Sequence, residues 1–215
     1  MNSRRTIGLL LLLCTMHIMA QTDSVQVKPG KNVYQATSIR IDLLNPVYEL
    51  ARSAGHTYSV EMAANVRLLN RLFPTLELGY AGGFPQEKDA AIPVYDGRGG
   101  FARIGLDINP LKKHPEALSY MTVGVRVGTS VQHLTTPALL IESPKGEIIA
   151  DAWGEVVAGV HVNIVKGFNM GWAVRMKFLF TGNSHGQYST PNYMPGYGYY
   201  DTMNWGFNYY LGYTF

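Results

Sequence analysis

The chain has 215 residues, with 18 Lys and Arg against 15 Asp and Glu, 12% aromatic residues, 23 glycines and one cysteine. Charged residues at 15% fall well below the roughly 25% usual for soluble domains, and a net charge of +3 is too weak to suggest nucleic-acid binding. The 47% apolar content excludes disorder for most of the chain, and beyond the extreme N-terminus no run of about 20 apolar residues could form a membrane-spanning helix.

Residues 1–20 read as a secretory signal peptide: Arg4 and Arg5 give the positive start, residues 7–14 the apolar core, and Ala20 the small residue before cleavage. Cys14 follows Leu11, Leu12 and Leu13 where a lipoprotein signal would place a small residue, so lipidation is not expected. The remaining 195 residues hold no cysteine and carry a charge of +1. An exported chain without disulfides needs another source of stability, and a large hydrogen-bonded sheet supplies one. Residues 21–34, with Lys28-Pro29-Gly30-Lys31, read as a polar periplasmic lead-in, and residues 35–215 as a single domain. No separate soluble domain is expected on either side of it, which argues against a peptidoglycan tether.

Along that domain the apolar residues recur with period two, the signature of half-buried strands. The first strand carries Ile39, Ile41 and Leu43 around Arg40 and Asp42, and Asn45-Pro46 is expected to cut it short. The second alternates Tyr58, Val60, Met62, Ala64, Val66 and Leu68 with Ser59, Glu61, Ala63, Asn65 and Arg67. In the third, Leu76, Leu78 and Tyr80 flank Glu77 and Gly79; in the fourth, Ala102, Ile104, Leu106 and Ile108 face away from Arg103, Gly105 and Asp107. The fifth opposes Met121, Val123, Val125, Val127 and Val131 to Thr122, Gly124, Arg126, Gly128 and Ser130. The sixth opposes Val156, Ala158, Val160, Val162 and Ile164 to Glu155, Val157, Gly159, His161 and Asn163. The seventh sets Phe168 through Phe180 at even numbers against Asn169, Gly171, Ala173, Arg175, Lys177 and Leu179. The eighth sets Trp205, Phe207, Tyr209, Leu211, Tyr213 and Phe215 against Asn204, Gly206, Asn208, Tyr210, Gly212 and Thr214.

No charge falls on the apolar faces, whereas the opposite faces carry eleven: Arg40, Arg67, Arg103, Arg126, Arg175 and Lys177 with Asp42, Glu61, Glu77, Asp107 and Glu155. Alternation alone fits a lipocalin-like carrier too, with its apolar residues inside. Three features favour a membrane barrel. The charged faces also hold many Gly and Ala, as a narrow side-chain-filled lumen requires. Connections alternate in length, short at residues 70–74 and 166–167 and moderate at 109–118, but long at 45–57, 82–97, 132–150 and 182–200. Aromatic residues stand at strand ends, as interface girdles do: Tyr58, Tyr80, Trp153, Phe168, Phe180, Trp205 and Phe215.

On these residues the chain resembles the small eight-stranded outer-membrane β-barrels of the OmpA/OmpX type. More narrowly, residues 35–215 are similar to a family of small exported bacterial proteins known only as a domain of unknown function. The resemblance implies an all-β, eight-stranded antiparallel barrel in the outer membrane, both termini periplasmic. Its partners would be outer-membrane lipid and, during insertion, the barrel-assembly machinery. The final strand, Trp205, Phe207, Tyr209, Leu211, Tyr213 and the terminal Phe215, resembles the signal that machinery reads. No catalytic signature accompanies the likeness.

Eight strands leave a lumen just wide enough for side chains, so the eleven inward charges are expected to pair with one another and close it. A hydrogen-bonded His161 should sit among them. The last long loop carries Tyr188, Tyr193, Tyr197, Tyr199 and Tyr200 among Gly, Ser and Asn, a composition suited either to binding an extracellular ligand or to capping the rim. Three His/Ser pairs near the outer ends would serve a small outer-membrane enzyme acting on lipid A or peptides: His56 with Ser59, Ser130 with His133, and Ser184 with His185. None matches a known motif, so a structural or surface-interaction role without catalysis is expected. No metal-ligand spacing is present, and no cofactor, metal or nucleic acid is anticipated.

Overall fold

A computed structural model describes residues 33–52, 57–83, 96–111, 117–135, 146–180, 193–199 and 201–215. The residues read as signal peptide and most of those read as lead-in lie outside the described residues, as do His56, Ser184, His185, Tyr188 and Tyr200.

Period-two alternation becomes eight antiparallel strands that close on themselves. They are β1 (Tyr34–Asp42), β2 (Tyr58–Leu68), β3 (Leu72–Gly83), β4 (Asp96–Ile108), β5 (Tyr120–Thr135), β6 (Gly146–Val165) and β7 (Phe168–Leu179). After a small hairpin, β8 (Tyr193–Met194) and β9 (Gly198–Tyr199), the last barrel strand β10 (Met203–Thr214) returns to pair with β1. Each of the other barrel strands pairs with its predecessor and successor in the chain. Closure leaves no free sheet edge along the length of most strands, the condition for a sheet in hydrocarbon.

The two faces are inverted relative to a soluble protein. On β4, Ile104 is 67% exposed and the adjacent Arg103 only 3%. Ile41, Val60, Met62, Leu76, Leu78, Val123, Val125 and Val127 are likewise exposed, and Glu61, Glu77, Asp107, Arg126, Glu155 and Arg175 are buried. A lipocalin-like arrangement is thereby overturned, because its apolar residues would face the lumen. The sheet is a transmembrane β-barrel, apolar outside and charged inside.

Several boundaries differ from the sequence reading. β5 and β6 pair from Tyr120↔His161 up to Thr135↔Gly146, so residues 132–135 and 146–150 of the loop expected at 132–150 are ladder. Near its top the outward positions include His133 as well as apolar side chains, and the alternation fades where the hairpin continues. Pro74 lies in a strand rather than a turn. The turn is tighter, residues 69–71, with Leu69 and Asn70 at left-handed φ of 51° and 59° and Arg71 N donating to Leu68 O (3.0 Å). The β2–β3 ladder lapses between Asn65↔Thr75 and Leu68↔Leu72, where Pro74 has no N–H to give.

A helix, α1 (Leu44–Arg52), replaces the loop expected after β1. Asp42 caps it, its carboxylate accepting the N–H groups of Leu44 (3.2 Å) and Asn45 (3.3 Å). Pro46 falls in the first turn, where a missing N–H costs nothing. Asn45-Pro46 therefore ends the strand as expected, but by starting a helix.

Candidate functional site at the barrel mouth

The lumen is filled in three layers. At its centre Arg175 of β7 reaches Glu77 (2.7 Å) and Glu155 (2.9 Å) through Nη1, and Glu77 (3.1 Å) and Glu61 (3.3 Å) through Nη2. Its Nε donates to Asn208 (2.5 Å), and Nη2 also donates to the Tyr210 hydroxyl. Arg103 of β4 joins the same three carboxylates, with Nη1 at 2.9 Å from Glu61 and 3.0 Å from Glu77, and Nε at 2.9 Å from Glu155. Arg126 of β5 makes a bidentate pair with Asp107 (2.6 and 2.7 Å) and touches Glu77 at 3.3 Å. Six of the eight strands are thus tied across the lumen by buried, shared charges. Every charge of this network but Asp107 has two or three partners of opposite sign, the arrangement that offsets its desolvation.

Two glycines make room. A Cβ on Gly124 would fall 1.9 Å from Asp107 Oδ1, and one on Gly128 would fall 2.4 Å from the Trp153 indole. The Gly-rich inner faces follow from this: a lumen of eight strands holds large inward side chains only beside absent ones.

Above the charges sits a plug. The β8–β9 hairpin folds down so that Tyr197 and Met194 pack with Phe101 and Trp153 in a fully buried cluster. Tyr197 meets Trp153 edge-on at 5.8 Å between centroids. Charges from the wall hold the hairpin by its backbone. Arg103 Nη2 donates to Gly196 O (2.6 Å), and Lys177 Nζ donates to Gly196 O (2.8 Å) and Tyr197 O (2.9 Å). Gly196, at φ +77°, fits there because a Cβ would strike the Phe101 ring at 2.5 Å. Trp153 in turn donates through Nε1 to Glu155 (2.6 Å), linking plug to charge layer.

Below the charges the turn-side end is stacked. Phe73, Tyr120 and His161 form consecutive parallel rings 4.6 and 4.5 Å apart. Arg67 lies 5.3 Å over Tyr120 and 6.0 Å from Phe73, and Arg40 lies 5.0 Å over Tyr210.

The eleven inward charges of the sequence reading are therefore brought together only in part. Glu61, Glu77, Arg103, Asp107, Arg126, Glu155 and Arg175 form the network. Lys177 instead binds plug carbonyls, Arg40 and Arg67 lie over aromatic rings, Arg67 also donating to Ala117 O (3.1 Å), and Asp42 caps α1 while accepting Asn208 Nδ2 and Tyr209 N (both 3.0 Å). The expectation that all eleven would pair with each other is corrected on these four. The corners of the lumen offer ring faces and backbone groups, which satisfy a charge as well as a counter-ion does. Asp151, 1% exposed, is a further inward charge missed because the sixth strand was begun at Glu155. Extending the same parity from Glu155 through Trp153 finds it. It brings the inward set to six cations and six anions.

Trp153 is also a correction, since it points inward under the plug rather than into an interface girdle. The other six girdle aromatics are exposed. His161 stacks on Tyr120, and its Nδ1 makes no hydrogen bond. Ser130 points into the lumen while its supposed partner His133 is exposed on the opposite face, so the two form no dyad. Of the loop tyrosines, Tyr197 is the centre of the plug, whereas Tyr193 and Tyr199 stack edge-on at 5.9 Å across the β8–β9 hairpin.

Beside the plug a cavity of about 340 Å³ opens at the mouth. Tyr193, Tyr197 and Tyr199 line it together with Glu61, Arg103 and Lys177 of the wall and Leu44 and Tyr48 of α1.

Among solved structures the chain is similar to Ail, the attachment invasion locus protein of Yersinia pestis, at 10% identity and a TM-score of 0.44, covering 84% of this chain and 98% of that one. A second structure of Ail from Yersinia pestis, in complex with the heparin analogue sucrose octasulfate, aligns at 9% identity and a TM-score of 0.43 over the same shares. No curated protein matches the sequence. Residues 3–215 match DUF6048, a domain of unknown function, and the chain belongs to that family.

Proposed function

We propose that the protein is an outer-membrane barrel with both termini on the periplasmic side. Its lumen is closed, and its role is structural or surface-interacting rather than catalytic. One observation carries this reading: a continuous apolar belt surrounds a lumen whose inward charges are buried and cross-linked from six strands. Connections of three residues (69–71) and two residues (166–167), with one of eleven (109–119), join strands at the end away from the plug, while the connections carrying α1 and the β8–β9 hairpin lie at the plug end, a layout that supports short periplasmic turns. The plug is held by Arg103 and Lys177, which supports a surface that presents a fixed mouth instead of a pore. Outer-membrane lipid and the barrel-assembly machinery are the partners this reading requires.

Fractionation followed by gel mobility of boiled and unboiled samples tests it. An outer-membrane fraction whose band shifts on heating, with no steady conductance in planar bilayers, is the expected result. A soluble protein with no heat shift overturns the membrane reading, and a steady conductance overturns the closed lumen.

A further inference from the structure

We infer that the barrel has a side entrance between β2 and β10 through which a single-chain acyl amphiphile with an acidic head passes from the surrounding lipid into the mouth cavity. The inference rests on the membrane reading above.

The entrance follows from strand lengths. β1 stops early: its ladder with β10 ends at Asp42↔Tyr210 and its ladder with β2 at Ile41↔Met62. β10 continues upward to Met203 and β2 to Tyr58, still paired with β7 and β3 on their far sides. Among the described residues no strand fills the space between them. α1 stands there instead, packed against both. A helix is about 10 Å across, close to the width left by one missing strand, but it offers no ladder hydrogen bonds.

On β10, Tyr209 turns both its N–H and its C=O toward this side, the one accepted by Asp42 and the other accepting from Leu43 N (2.8 Å). Strand geometry aims the same groups of Phe207 and Trp205 into the space above. Trp205 N is met by the side chain of Asn204 (2.9 Å).

The cavity crosses the wall at this point. Trp205, 62% exposed, and Phe207 belong to the lipid-facing side, yet they line the same cavity as the inward Arg103 and Lys177. Leu44 and Tyr48 of α1 complete the apolar half, and both are exposed, as are Leu43 and Ile41. Ser59 of β2 supplies a hydroxyl at the boundary between the two halves. A space apolar toward the membrane and, with Arg103 and Lys177 against Glu61, net cationic toward the lumen suits a chain with an acidic head. Its volume lies near the lower end of the range for small-molecule sites, about 300–1,000 Å³, which favours one chain over two.

The test is photolabelling in phosphatidylcholine vesicles holding the full mature chain, with a palmitate carrying a diazirine in its tail. Adducts are mapped by peptide mass spectrometry. Labelling of the belt, for instance at Ile104 and Val125, reports insertion; its absence overturns the membrane reading and the entrance with it. Given belt labelling, adducts on Leu44, Tyr48, Trp205 or Phe207 that fall severalfold under excess unlabelled palmitate, while the belt does not change, are the expected result. Belt labelling with no such competed adducts overturns the entrance and leaves the membrane reading standing. Ser59→Trp, which fills the boundary, should abolish the competed adducts while keeping the heat shift. If it keeps both, the entrance is wrong.

Discussion

The two sides of this barrel are built differently. From β3 to β6 the wall is deep and uniform: thirteen residue pairs join β4 to β5 and sixteen join β5 to β6. Across the seam five pairs join β1 to β10, and a capped helix completes the wall. The deep side holds itself by backbone ladders and by charges shared across the lumen. The seam hangs largely on one side chain, Asp42, which caps α1, accepts Asn208 and Tyr209, and stands where the last ladder pair forms. A closed barrel thus concentrates its weakness where the chain's two ends meet, and there the lumen and the lipid-facing side approach each other.

Removing the centre of the deep side should have the largest effect. Glu77→Leu takes the shared partner from Arg103, Arg126 and Arg175, and breaking a buried ionic cluster in this way costs about 3–5 kcal/mol. Urea unfolding in detergent micelles, followed by loss of the heat-shifted band, measures it. A variant as stable as the parent would mean that the network adds nothing to closure.

Next comes the outer face of the same side. Val125→Arg, at an exposed position on β5, should cost about 2–4 kcal/mol in a bilayer, because an arginine near the midplane must leave water. The same substitution in a water-facing sheet would cost little, so refolding into vesicles separates the two environments.

Gly128→Leu crowds Trp153 and should cost about 1–3 kcal/mol by overpacking. Its more specific sign is displacement of Tyr197, read as protease cleavage near residues 193–199 in folded protein. If the hairpin stays protected, the plug does not depend on Trp153.

The smallest global change belongs to the seam. Asp42→Ala removes a helix cap, about 1 kcal/mol, and leaves Asn208 and Tyr209 N without their acceptor. Amide exchange should quicken at Tyr209 and in α1 while β4, β5 and β6 remain protected. Uniform quickening around the barrel would show that the two sides are one cooperative unit and the contrast is only geometric.

The strands of the belt were legible in the sequence because a sheet with lipid on one face and charges on the other forces strict period two. Arg103, Arg126, Glu155 and Arg175 announce their direction by parity alone. Legibility fails where that solvent contrast fades. The upper parts of β5 and β6 project to where either polarity is tolerated, so their pairing to Thr135↔Gly146 is hidden. Asp151 and Trp153 were lost with them, although both share the parity of Glu155. α1 is nine residues long, too short for a periodic signal, and Asn45-Pro46 within it reads as a break.

The sequence by itself determined the class of fold, the in/out assignment of the belt and the presence of balancing charges, since each follows from local alternation. The tertiary structure alone decided which charges meet, that Lys177 holds the plug by its carbonyls, that Tyr197 fills the mouth, and that β1 ends short of β2 and β10. These depend on register between strands far apart in the chain. Nothing in a single strand's pattern encodes how far it slides against its neighbour, or which side chains then share a cross-section of the lumen.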